Sequence, residues 1–175
     1  MLEKTIGGTG MKVALIIAQE GFRDEEYAVP KEILTQAGHE VITVSNARGE
    51  ARGKLGMVTL ADRALDEIAA GDFDAIACIG GPGSKQFWDS EPVHALLRAA
   101  AERGAVVAGI CSAAVTLARA GVLKDKRATV FPGDAEIFAP LVGEYTASAC
   151  EQDGRCVTAN GPDASEAFGK AIRDA

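Results

Sequence analysis

Three short apolar runs constrain this chain more than any other feature. Residues 12–18 (KVALIIA), 74–80 (DAIACIG) and 105–110 (AVVAGI) carry almost no polar side chains, are rich in branched residues and are too short for helices. A run without polar alternation reads as a strand covered on both faces, the condition of a parallel sheet. Helical segments are read at 24–37, 92–103, 112–120 and 165–174, with further strands at 40–45 and 128–131. Gly38 and Gly121 close two of these helices and Ser90 is placed to cap another. Residues 49–59 read as a loop and short edge hairpin, and 145–160 as a hairpin turning at Asp153-Gly154. Strand and helix in alternation predict an α/β fold, a three-layer sandwich around a mainly parallel sheet, whose ligands bind beyond the C-terminal strand ends.

The 175 residues suffice for one core, and 11–175 reads as a single domain. Residues 1–10 (MLEKTIGGTG) lack the apolar stretch of a secretory signal and read as a loose leader. Aromatics are only 5% of the chain, so Ala, Val, Leu and Ile must build the core. A net charge of −7 opposes a nucleic-acid partner. No apolar run is long enough to span a membrane. With no export signal, a cytoplasmic protein is expected, and Cys78, Cys111, Cys150 and Cys156 are expected to be reduced thiols.

Gly109-Ile110-Cys111-Ser112-Ala113 stands where a buried strand meets a helix of small residues, the pattern of a nucleophile elbow. The helix N-terminus would favour a partly ionised thiol there, although a structural cysteine, as Cys78 is read, has the same neighbours. Ile79-Gly80-Gly81-Pro82-Gly83-Ser84 lets a backbone approach a ligand closely; with the N–H after Cys111 it would form an oxyanion hole, and otherwise it is a tight turn. Gly49–Leu55 (GEARGKL) is one spacer short of a phosphate loop and ends in Leu rather than Ser or Thr. Asp24, Glu25 and Glu26 open a helix, where acids ordinarily complement the dipole; Glu26 is the one positioned to face the cleft instead.

The only histidines, His39 and His94, are both read as solvated, and none follows Cys111 in the chain. That order excludes amidotransferase and α/β-hydrolase triads, and no metal or organic cofactor is implied. Cys150 and Cys156 flank the hairpin turn on what parity makes one face; the plain reading is two small apolar strand residues.

Taken together, EEYAVPKEILTQAGHEV, CIGGPGS, GICSAAVTLARAGVL, VFPGD and TANGPDASEAFGKAI resemble the ThiJ/PfpI (DJ-one/PfpI) superfamily over nearly the whole chain from Met11. The resemblance implies a flavodoxin-like sandwich that forms a homodimer or higher oligomer. It implies Cys111 as the elbow cysteine and Glu26, four residues before Pro30, as its carboxyl partner, with the backbones of Gly81 and Ser112 as the oxyanion hole. The chain departs from the family at three places. Ser112 stands where protease-like members have histidine. Ser84-Lys85-Gln86 has no acid where they supply a glutamate to a neighbouring subunit. Phe131 precedes Pro132 where deglycase-like members often carry histidine.

The leading expectation is a cofactor-independent glyoxalase or deglycase acting on small aldehydes or glycated substrates, with a small apolar pocket beside Phe131. The alternatives are a redox-sensing stress protein whose Cys111 oxidises to the sulfinic acid, and an intracellular peptidase or amidase.

Overall fold

The structure, a computed structural model, describes residues 10–175. The leader read at 1–10 lies, Gly10 apart, outside the described residues. The chain runs β1 (Lys12–Ile16), β2 (Glu20–Phe22), α1 (Asp24–Gln36), β3 (Glu40–Ser45), β4 (Gly49–Gly53), β5 (Val58–Ala61), β6 (Arg63–Ala64), β7 (Ala75–Cys78), α2 (Glu91–Glu102) and β8 (Val106–Ile110). It continues through α3 (Ala114–Ala120), β9 (Arg127–Ala128), α4 (Ala135–Phe138), β10 (Glu144–Tyr145), β11 (Cys150–Asp153), β12 (Cys156–Ala159) and α5 (Ser165–Asp174).

A seven-stranded sheet, ordered β11-β12-β8-β7-β1-β3-β6, forms the middle layer. Every pairing in it is parallel except the β11–β12 hairpin. The apolar runs have two covered faces because each is shared between two cores. Ala14, Ile16, Ile76 and Val107 face α2 and α3, whereas Val13, Leu15, Ala75 and Val106 face α1 and α5. The resulting three-layer α/β sandwich is the fold expected. The chain reverses its direction of travel between β1 and β7, where ligands bind in open parallel sheets.

Four local expectations change. Ser90 is the N-cap of α2, but its side chain makes no capping bond. The strand read at 128–131 shrinks to β9, because Thr129 turns to side-chain and loop partners: its N–H donates to Thr158 Oγ1 at 2.9 Å and its hydroxyl to the Ser148 carbonyl at 2.6 Å. The hairpin pairs Asp153 with Cys156 and Cys150 with Ala159. That two-residue turn puts Cys150 and Cys156 on opposite sheet faces, and all four cysteines are free. His94 is buried rather than solvated: it lies beside Val93 on the inner face of α2, and its Nε2–H donates to the Trp88 carbonyl at 2.7 Å. His39 is half-buried and accepts the Met11 N–H on Nδ1 at 2.9 Å, at the opposite end of β1 from the strand's C-terminus.

Candidate active site

Strand β8 ends at Ile110, and Cys111 begins a single 3-10 turn into α3. Cys111 has φ 60°, a left-handed conformation that a side chain adopts only when its surroundings enforce it. Three contacts do so. The Trp88 indole N–H donates to the Ser112 carbonyl at 2.8 Å, the Ser112 hydroxyl donates to Asp134 at 2.6 Å, and the Phe131 N–H reaches the Cys111 carbonyl at 3.4 Å. Gly109 lets α3 lie close, since a Cβ there would sit 2.9 Å from Leu117 Cδ1.

Behind β7, Gly80 and Gly81 pass between this elbow and the start of α1. A Cβ on Gly80 would collide with Glu26 Oε1 and with Cys111 Cβ, so only glycine leaves the two side chains in contact. Gly81 has φ 101° and packs against the backbone of Gly21–Arg23. Its carbonyl is pinned by the N–H and hydroxyl of Ser84, at 3.0 and 2.7 Å. The backbone N–H groups of Gly81 and Ser112 both reach Cys111. The structure therefore brings Cys111, Glu26, Gly81 and Ser112 to one point beyond the ends of β1, β7 and β8.

The three acids that open α1 have three separate environments. Asp24 accepts the N–H groups of Leu55 and Met57 at 3.0 and 2.8 Å, tying down the β4–β5 loop. Glu25 pairs with Arg23 at 2.6 Å. Glu26 is fully buried, and neither of its oxygens has a partner in ordinary hydrogen-bond geometry; the Cys111 thiol and the Gly80 N–H are the donors within reach.

Burial pushes the Glu26 carboxyl up to about 7. Burial first, then the Glu26 charge, pushes the Cys111 thiol up to about 12. Desolvation and the facing acid therefore oppose the helix terminus and the two N–H groups, which favour the thiolate. The two groups titrate as a unit that carries one negative charge between those values.

They open on a cavity of about 210 Å³ that Phe131 also lines. The cavity is small and its exposed lining is mostly apolar, as expected, but Arg23, Lys54 and Lys85 line it as well. Sequence reasoning missed these three cations. Arg23 adjoins the acidic turn and Lys85 follows the glycine run, but Lys54 lies in the stretch that fails as a phosphate loop, and only the fold brings it here. Asp134 serves Ser112 rather than the cavity, and neither histidine lines it. Among the described residues no cluster of three or more His, Cys, Asp or Glu side chains is placed to hold a metal, and no helix is long and apolar enough to cross a membrane.

Comparison with known proteins gives a consistent result. The DJ-1/PfpI family profile matches residues 11–175. Deglycase PH1704 of Pyrococcus horikoshii is 31% identical over 87% of this chain and 91% of its own. The ThiJ/PfpI domain protein of Brachyspira murdochii superposes with a TM-score of 0.90 at 31% identity, over 93% of this chain and 94% of that one. Drosophila melanogaster DJ-1beta does so with 0.87 at 26%, over 94% and 89%.

Proposed function

The chain belongs to the DJ-1/PfpI family, and from that premise we propose that it is a cysteine-dependent glyoxalase or deglycase, with Cys111 as nucleophile and Glu26 as its acid–base partner. The observation that carries this reading is the buried Glu26 carboxyl, without an ordinary partner, held against Cys111 across Gly80. A buried carboxylate with no donor is costly, whereas a protonated one can donate to sulfur. The sulfur in turn has the Gly81 and Ser112 N–H groups to hold its charge. In the singly charged unit the proton thus belongs on Glu26 and the charge on Cys111. Deglycase-named relatives support the substrate class.

The thiolate adds to the aldehyde carbon of a 2-oxoaldehyde. The carbonyl oxygen becomes an alkoxide at the Gly81 and Ser112 N–H groups and takes the Glu26 proton. Glu26, now a carboxylate, removes the hydrogen from that carbon and returns it to the neighbouring one. The adduct becomes a thioester with no net redox change. Water hydrolyses it to the 2-hydroxy acid and restores the thiol. On a glycated amine the carbinolamine C–N bond breaks first, the hydroxyl proton passing to the nitrogen as the aldehyde re-forms and the amine leaves, and Cys111 then adds to that aldehyde. The reading takes the protein as cytoplasmic, self-associating and independent of any cofactor.

The test is conversion of methylglyoxal to lactate, with Cys111→Ser inactive and Glu26→Gln reduced by at least about 10²-fold. Undiminished turnover in either variant overturns the assignment. Oxidation of Cys111 to the sulfinic acid is a second reading, favoured by the same two N–H groups; it predicts no turnover and a two-oxygen adduct on Cys111 under mild peroxide. The peptidase reading lacks support, since no histidine of this chain lines the cavity.

A further inference from the structure

The chain is acidic overall, at −7, yet the cavity around Cys111 is lined by three cations. Their charges are not equally committed. Arg23 is neutralised by Glu25. Lys54 and Lys85 have no acidic partner among the described residues; Lys85 rests its ammonium 5.3 Å from the centre of the Trp88 ring, a contact that leaves the charge intact. With the Cys111–Glu26 unit carrying one negative charge, two uncommitted ammonium groups still leave the cavity positive.

The backbone at Lys54 is also held in place. Its N–H donates to the Phe22 carbonyl at 2.8 Å, and the next residues of its loop are fixed by the Asp24 carboxylate. Gly53 makes that possible, because any Cβ there would collide with the same carboxylate. An acid at the start of α1 thus fixes the backbone from which Lys54 lines the cavity. A small positive cavity in a negative protein concentrates anions and rejects neutral competitors of the same size.

We propose that Lys54 and Lys85 select a carbonyl substrate that carries its own anionic group, a carboxylate or a phosphate, next to the carbon attacked by Cys111. The reaction at that carbon rests on the thiol–carbonyl reading above; the charge selectivity does not, and it is read separately.

The experiment uses Cys111 as its own reporter. The whole protein is alkylated with iodoacetate and with iodoacetamide, which share reactive carbon and leaving group and differ in charge. Free cysteine measured beside it sets the reference ratio. The iodoacetate-to-iodoacetamide ratio is expected to exceed that reference by on the order of ten-fold at low salt, the scale set by two unit charges lining a cavity open to water. It should collapse toward the reference at 0.5 M salt, taken as roughly half the 1 M at which screening acts within about 3 Å. It should fall in Lys54→Met, in Lys85→Met and furthest in the double variant. Lys12→Met, at the opposite end of β1, removes the same charge from outside the cavity and should leave it in place. Inorganic phosphate and acetate are then compared as protectants against iodoacetamide, and the one effective at lower concentration names the anionic group. A ratio at the reference value, or one unmoved in the double variant, overturns the proposal. A high ratio that both lysines control, in a protein that consumes neither methylglyoxal nor a 2-oxoaldehyde bearing a carboxylate or a phosphate, supports the selectivity and overturns only the carbonyl chemistry.

Discussion

Glu26 and Cys111 come from segments 85 positions apart and meet across Gly80, with the carboxyl buried and the Gly81 and Ser112 N–H groups within reach of the sulfur. Gly80 is needed for the space it leaves rather than for an unusual backbone angle, since it is absent from the positive-φ glycines. Gly80→Ala should therefore fold, at a cost of about 1–3 kcal/mol for overpacking. Turnover should drop by on the order of 10²-fold, because the Cβ drives the acid and the thiol apart. Urea unfolding and steady-state kinetics separate the two effects. A variant with normal kinetics would show that the contact is dispensable.

The buried carboxyl makes a prediction about stability. Glu26 ionises near 7 when folded, against an ordinary 4.5. The unfolded chain therefore loses this proton first as pH rises, and folding is favoured most below 4.5. That contribution decays between 4.5 and about 7 and is gone above, a loss of about 3 kcal/mol. Glu26→Gln has no such proton. The difference in unfolding free energy between wild type and Glu26→Gln should shift by about that amount from pH 4.5 to pH 8, with the variant gaining relative stability at the alkaline end. Measuring both chains in a Cys111→Ala background removes the thiol that titrates with Glu26, and taking the difference cancels the groups common to both. A flat difference across the window would mean that Glu26 is solvated or paired in solution.

The elbow makes a third. Ser112 and Asp134 share a buried hydrogen bond of 2.6 Å that joins the turn after β8 to the segment before α4. Asp134→Ala and Ser112→Ala should each cost about 1–3 kcal/mol, since each leaves a buried polar partner unsatisfied. The double variant should cost less than the two together, because it removes both partners. Strict additivity in urea unfolding would show that the bond contributes nothing.

The fold was legible because its strands are buried on both faces. The absence of alternation in residues 12–18, 74–80 and 105–110 reports two-sided cover directly, and the glycines after two of these runs mark where the backbone must come close. The elbow at Cys111 was legible for the same reason. Its place two residues inside the helix offered Glu26 as the acid that could face the cleft, but three adjacent acids at a helix start share one generic explanation; family likeness singled it out, and its lack of an ordinary partner now separates it from the other two. Helix-terminus electrostatics at Cys111 is a local property and was legible, whereas the desolvation that opposes it depends on the packing of Glu26 and β7 around the sulfur. His94 was misplaced for a related reason: the carbonyl that satisfies it belongs to Trp88, in a turn whose path the helical pattern does not report. The cationic lining was hidden because Arg23, Lys54 and Lys85 come from three separate loops.

The loop that carries Lys54 makes the last prediction. Its anchor is the Asp24 carboxylate, which takes two backbone N–H groups, from Leu55 and Met57, while Gly53 leaves room for it. Hydrogen bonds to a charged acceptor contribute about 1.5–3 kcal/mol each, so Asp24→Ala should loosen this loop well before it unfolds the sheet. Asp24→Asn keeps one carbonyl acceptor and should show an intermediate effect. Native-state amide exchange reads this directly. The Leu55 and Met57 amides should exchange at least about ten-fold faster in Asp24→Ala, the equivalent of about 1.4 kcal/mol of local stability, while amides of β1 and β8 keep their protection. If the loop amides remain as slow as in the wild type, the loop is held by its β4–β5 pairing instead, and Lys54 owes its position over the cavity to the hairpin rather than to the acid that opens α1.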